Sequence, residues 1–345
     1  MTAFASDTTE TTPRPEHDHG LTGLVADIGG THARFALTTP DDARIRAVAT
    51  FEVDRHRDLA AATGAYLEVT GAHPTTMMVA VATPVIGDRV RLTNHKWSFS
   101  IDETRRRLDL ESLDVINDFV AQAAAVASLH GDDDHETLHE AHGEPDAPRV
   151  VIGPGTGLGV AGLLRLGADR WLPVATEGGH RDAAASTERE WRVITELGRH
   201  FDHVSCERLL SGPGLVHIYR ALHTLDDAGD VPTSMSPREI APAAQAGDRH
   251  AAETLEIFAG QLGAVAGDLA LSWGARGGVW LTGGVIAGLG DAFDREIFRQ
   301  RYLAKGRFHD YVAAIPVRRV RHPHAGLLGA ARLLMQTSPR HGDHT

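Results

Sequence analysis

Residues 24–37 read LVADIGGTHARFAL, two β-prone runs broken by a glycine pair. The apolar run Leu24-Val25-Ala26 leads to Asp27, Ile28 and the turn Gly29-Gly30-Thr31, and alternation resumes from Ala33 to Leu37. This pattern predicts a hairpin with a tight turn. Glycines let successive backbone N–H groups converge, and such a concave nest of donors binds anions. Asp27, at the end of the first strand, sets a carboxylate beside the nest, so the stretch can hold a phosphate together with its Mg²⁺. An ordinary hairpin with a solvated aspartate fits the same residues, because short glycine motifs match by chance.

The theme returns further along. Val150-Val151-Ile152 runs into Gly153-Pro154-Gly155-Thr156-Gly157, and Leu158–Leu164 follows as a second apolar run. Two hairpins of one design predict an internally duplicated architecture. Strand patterns occupy 47–53, 77–82, 88–93 and 113–116; helical spacing occupies 58–69, 101–108 (with Asp102 as its N-cap) and 119–129. Later helices are expected over 188–201, 214–221, 247–272 and 326–334, and a buried strand over 278–281 leads to Gly283-Gly284. Residues 131–148, acidic, rich in histidine and poor in apolar residues, read as a boundary or surface excursion. The order is that of an α/β protein. In open α/β sheets, ligands bind where strands end in loops.

A chain of 345 residues, 42% hydrophobic and 23% charged, can bury a sizeable core and suggests two domains. No apolar run is long enough to span a membrane. The polar, acidic segment 1–20 has neither a basic n-region nor an apolar h-region, and reads as a disordered tail rather than a secretory signal. A net charge of -12 argues against a nucleic-acid binder, which needs a Lys/Arg excess for phosphate contacts. The arginines at 105–107 and 318–319 read as a solvated helix face and a strand end. The single cysteine, Cys206, excludes an internal disulfide and a cysteine-built zinc site, and suits a reducing cytoplasm.

Two formal motif matches fail on context. His135-Glu136-Thr137-Leu138-His139 fits HExxH, but a zinc protease needs that motif on a buried helix, and here it lies in an acidic stretch without an apolar face. Gly157–Gly162 fits GxGxxG, yet it runs into a strand, whereas a dinucleotide fingerprint opens a helix. No glycine-rich loop ends in Gly-Lys-Ser/Thr. What remains is a constellation: three glycine turns after strands, Asn117-Asp118 at a strand end, Glu177-Gly178-Gly179-His180, and Glu207 at the start of an expected helix. Taken alone, Asp118 could be a helix N-cap, Glu207 a first-turn acid, His180 a loop histidine and Cys206 a packing residue.

The stretches VADIGGTHARFAL, LTNHKWSFS, VINDF, IGPGTGLGVA, EGGH, SCERLLSGPGLVHIYRA, LTGGV, KGRF and AGLLGAARL, in this order and spacing, resemble the bacterial glucokinases of the non-zinc, proteobacterial type. These belong to the actin/hexokinase-like ATPase superfamily, and the resemblance covers about Leu24 to Leu334. It implies an α/β, two-domain ribonuclease-H-like/actin-like ATPase fold with a cleft between the domains. A small α/β domain would be 21–128 plus 321–337, and a large α/β domain 129–320. Closure of the domains over the sugar is the device expected to exclude water.

The implied reaction is ATP-dependent phosphorylation of D-glucose at the 6-hydroxyl. Its alternatives are another hexose such as mannose or glucosamine, another phosphoryl donor, or a non-catalytic sugar sensor. A DNA-binding sensor would need a helix-turn-helix module, which an acidic tail of about 20 residues cannot contain. By the resemblance, Asp27, Ile28, Gly29, Gly30 and Thr31 form the first phosphate loop, with Asp27 on Mg²⁺ through water. Gly155, Thr156 and Gly157 belong to the second loop, and Gly283 and Gly284 to the adenosine-side turn. Asn117, Asp118, Glu177, His180 and Glu207 fall at the glucose ligands, with Asp118 as the catalytic base. A homodimer is also implied. The chain departs from the family pattern at His32, where asparagine is expected, and at Pro154, which need not be proline.

Overall fold

A computed structural model of the chain describes residues 23–39, 42–93, 95–167, 170–227 and 235–337. The expected tail, residues 1–20, lies outside the described residues. The chain divides into two compact units, one running to Ser128 and resuming at Pro323, the other Leu129–His322.

In the first unit, β1 (Gly23–Ile28), β2 (His32–Thr39) and β3 (Asp42–Glu52) form an antiparallel meander. Helix α1 (Leu59–Thr70) begins where Asp58 accepts the Ala61 N–H at 2.8 Å and carries the chain to β4 (Thr76–Val81), which lies parallel beside β1. A small ribbon, β5 (Arg89–Arg91) and β6 (Ser98–Ser100), precedes α2 (Ile101–Arg107). The cap of α2 is Ser100, which accepts the Glu103 N–H at 3.1 Å, and not Asp102 as the sequence suggested. Asp102 instead sits inside the first turn, where a carboxylate suits the helix dipole, and pairs with Arg105 and Arg106. Strand β7 (Ser112–Asn117) runs parallel to β4, and α3 (Asp118–Val126) follows directly. The sheet order is β3-β2-β1-β4-β7. Alternation along β1 sends Leu24, Ala26 and Ile28 to a face packed with Leu59, Ala62 and Tyr66 of α1, and Val25 to the opposite face.

The second unit holds β8 (His135–His139), β9 (Arg149–Pro154), β10 (Leu158–Arg165) and β11 (Trp171–Thr176), then α4 (Glu188–Leu197), α5 (Gly212–Leu225), α6 (Pro237–Gln245) and α7 (Arg249–Trp273). Strand β12 (Gly278–Leu281), α8 (Gly284–Leu289), α9 (Arg295–Leu303), α10 (His309–Ala313) and β13 (Val317–Val320) complete it. Its sheet order is β11-β10-β9-β12-β13-β8. The first five strands repeat the first unit: a meander β9–β10–β11, with β12 parallel to β9 and β13 parallel to β12. The duplication expected from the two glycine hairpins is thus present strand for strand. The sixth strand corrects the reading of 131–148 as a mere excursion, because His135–His139 pairs antiparallel with β13 at the sheet edge. The HExxH match is this edge strand, not a helix.

Helix α11 (Ala325–Thr337) then completes the first unit. Its Leu327, Ala330, Ala331 and Leu334 cover Val25, Ala36 and Met78, the face that α1 leaves open. Full burial of each leucine contributes roughly 2 kcal/mol.

Candidate active site

In the first unit the polar residues gather at the carboxyl ends of three adjacent parallel strands. Asp27 of β1 is level with Ala80 of β4, Ile28 with Val81, and Val81 with Asn117 of β7. The turn after β1 is closed by the Gly29 N–H, which donates to the His32 carbonyl at 2.9 Å. A Cβ on Gly29 would meet nothing nearer than that carbonyl, at 3.6 Å, so the chain itself does not fill the space above the turn. Gly30, Thr31 and His32 are exposed. Burial raises the pKa of Asp27, and the Arg34 guanidinium, 3.8 Å away, opposes that shift. Gly326, in the first turn of α11, packs against the same carboxylate; a Cβ there would stand 2.8 Å from Asp27 Oδ2.

Asn117 caps α3, its Oδ1 accepting the Phe119 N–H at 2.9 Å while Nδ2 donates to the Thr83 carbonyl at 3.4 Å. Asp118 Oδ1 shares the Phe119 N–H at 2.9 Å. The N-cap position that the sequence left open for Asp118 is held by Asn117, and Asp118 is the first residue of the helix. Burial, and then the charge of Asp27, push the Asp118 carboxyl up to about 6, against the pull of the Phe119 N–H.

In the second unit the turn between β9 and β10 is tied to two other segments. The Gly155 carbonyl accepts the N–H of Gly212, the first residue of α5, at 2.8 Å. Glu207 Oε2 accepts the Leu158 N–H at 2.8 Å, and its carboxylate fills the space that a Cβ on Gly157 would need. Glu207 lies in a single turn of 3-10 helix, Cys206–Arg208, and the longer helix α5 starts only after Ser211, whose Oγ accepts the Gly214 N–H at 3.0 Å. Gly283 adopts φ +95°, and a Cβ there would collide with the Pro154 carbonyl, so the turn after β12 lies close against the β9–β10 turn. Gly155 and Gly284 face open space, and Thr156 is exposed.

Glu177 and His180 are exposed on the turn after β11, with His180 Nε2 3.8 Å from Glu177 Oε2. His180 and Glu207 line one cavity of about 360 Å³, together with His200, Asp202, His203 and Arg208. The sequence reading missed those last four; the signal available was the run of polar residues in RHFDHVSCER. His203 Nε2 lies 2.8 Å from Asp182 Oδ1. Cys206 is buried beneath this wall, its thiol pushed up by burial and donating to the Asp182 carbonyl at 3.4 Å, which is the packing role expected of it.

No helix among the described residues is long and apolar enough to cross a membrane. The glucokinase family model matches residues 24–337. A glucokinase of Aromatoleum aromaticum is 46% identical over 316 residues, covering 90% of this chain and 94% of its own. A glucokinase of Paramagnetospirillum magneticum is 43% identical over 322 residues, covering 92% and 98%. The crystal structure of a glucokinase from an Antarctic psychrotroph aligns with a TM-score of 0.82 at 35% identity, covering 91% of this chain and 99% of its own.

Proposed function

The chain belongs to the glucokinase family and so phosphorylates glucose at the expense of ATP, and we propose that Asp118 is the general base that directs the transfer to the 6-hydroxyl. The observation that carries this assignment is the Asp118 carboxyl itself: held at about 6 at a strand's carboxyl end, with helix capping supplied by Asn117. A base poised near the working pH combines the deprotonated state with a real affinity for the proton it takes.

Asp118 takes the proton of the sugar hydroxyl as the oxygen bonds to the terminal phosphorus of ATP. The bond from that phosphorus to its bridging oxygen breaks, and ADP leaves with the electron pair. The turn Asp27–Thr31, Gly155–Gly157 with Thr156, and Gly283-Gly284 are the proposed nucleotide-binding segments. Their support is the open space at Gly155 and Gly284, the room left above Gly29, and the carboxylate beside the first turn. Asn117, Glu177, His180 and Glu207 are the proposed partners of the sugar hydroxyls. Asn117 has a second amide hydrogen to give, and Glu177, His180 and Glu207 carry the hydrogen-bonding groups of an exposed turn and a polar cavity. Polar groups that a bound sugar covers penalise any sugar that leaves them unpaired.

Asp27 and Asp118, two carboxylates whose charges oppose one another, suit a hard divalent cation. Asp27 would hold Mg²⁺ through water, and the ion, when bound, supplies charge neutralisation at the phosphate oxygens. A homodimer is the assembly that the resemblance implies, and light scattering on the eluting protein tests it.

The reaction is tested by ADP release from ATP with a panel of hexoses, with and without EDTA. Turnover that needs glucose and is abolished by EDTA supports the reading. Turnover equal across all hexoses, or unchanged by EDTA, would overturn the sugar and metal assignments respectively.

A further inference from the structure

One cluster of ligand-type side chains takes no part in the chemistry above. His223, near the end of α5, meets Asp248 and His250 at the start of α7, and their donor atoms all lie within 4.8 Å of one another. The rings of His223 and His250 stand 4.2 Å apart, centroid to centroid. Both ring nitrogens of His223 are buried without a hydrogen-bond partner. Buried polar atoms are almost always paired, so two orphans on one ring call for an explanation.

The other two members are already oriented. His250 Nε2 lies 3.2 Å from Asp226 Oδ2, which leaves Nδ1 as that ring's ligand atom. Asp226 is in turn fixed by two hydrogen bonds from Arg189, each 2.9 Å. A carboxylate behind a histidine is the outer support that metal-bound histidines ordinarily carry, fixing ring orientation and raising basicity. Asp248 Oδ1 accepts the N–H groups of His250 and Ala251 at 2.9 and 3.1 Å, and Oδ2 accepts the Tyr219 hydroxyl at 2.7 Å. That acid is therefore held from both sides.

We propose that His223, Asp248 and His250 form a zinc site that clamps the end of α5 to the start of α7. Two imidazoles and one carboxylate suit Zn²⁺ better than Mg²⁺ or Ca²⁺, which take oxygen ligands. Three protein ligands leave a fourth position for water, and the donor atoms draw together to the roughly 3.3 Å separations of a tetrahedral site. The site is structural, distinct from the Mg²⁺ that accompanies ATP.

The test uses the full chain, stripped with chelator and desalted, then titrated with Zn²⁺ and separately with Co²⁺. The wild type is expected to melt about 5 °C higher with zinc at a hundredfold excess over its Kd. One equivalent of Co²⁺ should give the visible absorption of a tetrahedral ion. His223→Gln should lose the cobalt band and the zinc shift while keeping glucose turnover. His223→Phe guards against a folding defect: it keeps the ring between Tyr219 and His250 with no ligand atom, so it should melt at or above the metal-free wild type and ignore zinc. Zinc shifts and cobalt spectra that are the same in both variants as in the wild type would overturn the proposal. So would a wild type that shows neither response.

Discussion

Burial raises the pKa of Asp118, and the charge of Asp27 stands close enough to raise it further. The first unit therefore pairs two acids that do not ionise independently. One is the proposed phosphate-side carboxylate, the other the proposed base.

The acid limb of kcat/KM for glucose should have its midpoint near 6, because the base works only when deprotonated. Asp27→Asn removes the like charge, so whatever activity that variant keeps should have its limb at lower pH. A pH–rate profile checks both. An unmoved limb would show that Asp27 does not set the Asp118 titration.

Asp118→Asn should lower kcat by about 10²- to 10⁴-fold and leave glucose affinity within about tenfold. It should also make the protein more stable. A carboxyl whose pKa is higher folded than unfolded binds its proton more tightly in the folded chain, so stability falls as pH rises from 3.8 to about 6. The variant escapes that loss, and should melt above the wild type at pH 8 with the gap closing toward pH 4. A variant that melts lower at pH 8 would return Asp118 to a structural role.

Gly157→Ala puts a methyl group where the Glu207 carboxylate now lies. The acid must move or the turn must open, and either should cost about a hundredfold in kcat/KM for glucose. Overpacking of this sort also destabilises by about 1–3 kcal/mol, which a denaturant titration resolves.

Gly326→Ala separates two opposed expectations. Alanine is the better helix former by about 1 kcal/mol, which alone predicts a more stable α11. The new Cβ, however, would stand 2.8 Å from Asp27 Oδ2 and displace that carboxylate. The Mg²⁺ concentration for half-maximal rate should rise, and a Mg²⁺ titration reads this independently of the melting temperature.

Much of this was legible in the sequence, and the exceptions share a cause. The glycine hairpins, Asp27 and the Asn117-Asp118 pair could be read because strand, turn and acid lie within a few residues of one another. Strand β8 could not: its five residues include one apolar side chain, Leu138, since an edge strand needs little burial to pair. Strand β11 hid for a related reason, with Pro173 inside it, which only an edge strand tolerates. The cap of α2 was misassigned because Ser100 and Asp102 are both good capping residues and only the backbone decides between them. The tie from Glu207 to Leu158 spans 49 positions and has no local signature.

The first unit takes its last helix from beyond Pro323, after the whole of the second unit has been read out. During synthesis, the face carrying Val25, Ala36 and Met78 waits uncovered while some two hundred further residues emerge, at a pace of about 5–20 per second. The second unit is continuous in sequence and is under no such delay. A nascent chain therefore spends roughly ten seconds or more with that face of the first sheet bare while the second unit is still being made. A message cut short before Ala325 yields a protein that never covers it, an apolar surface of the kind chaperones and proteases recognise.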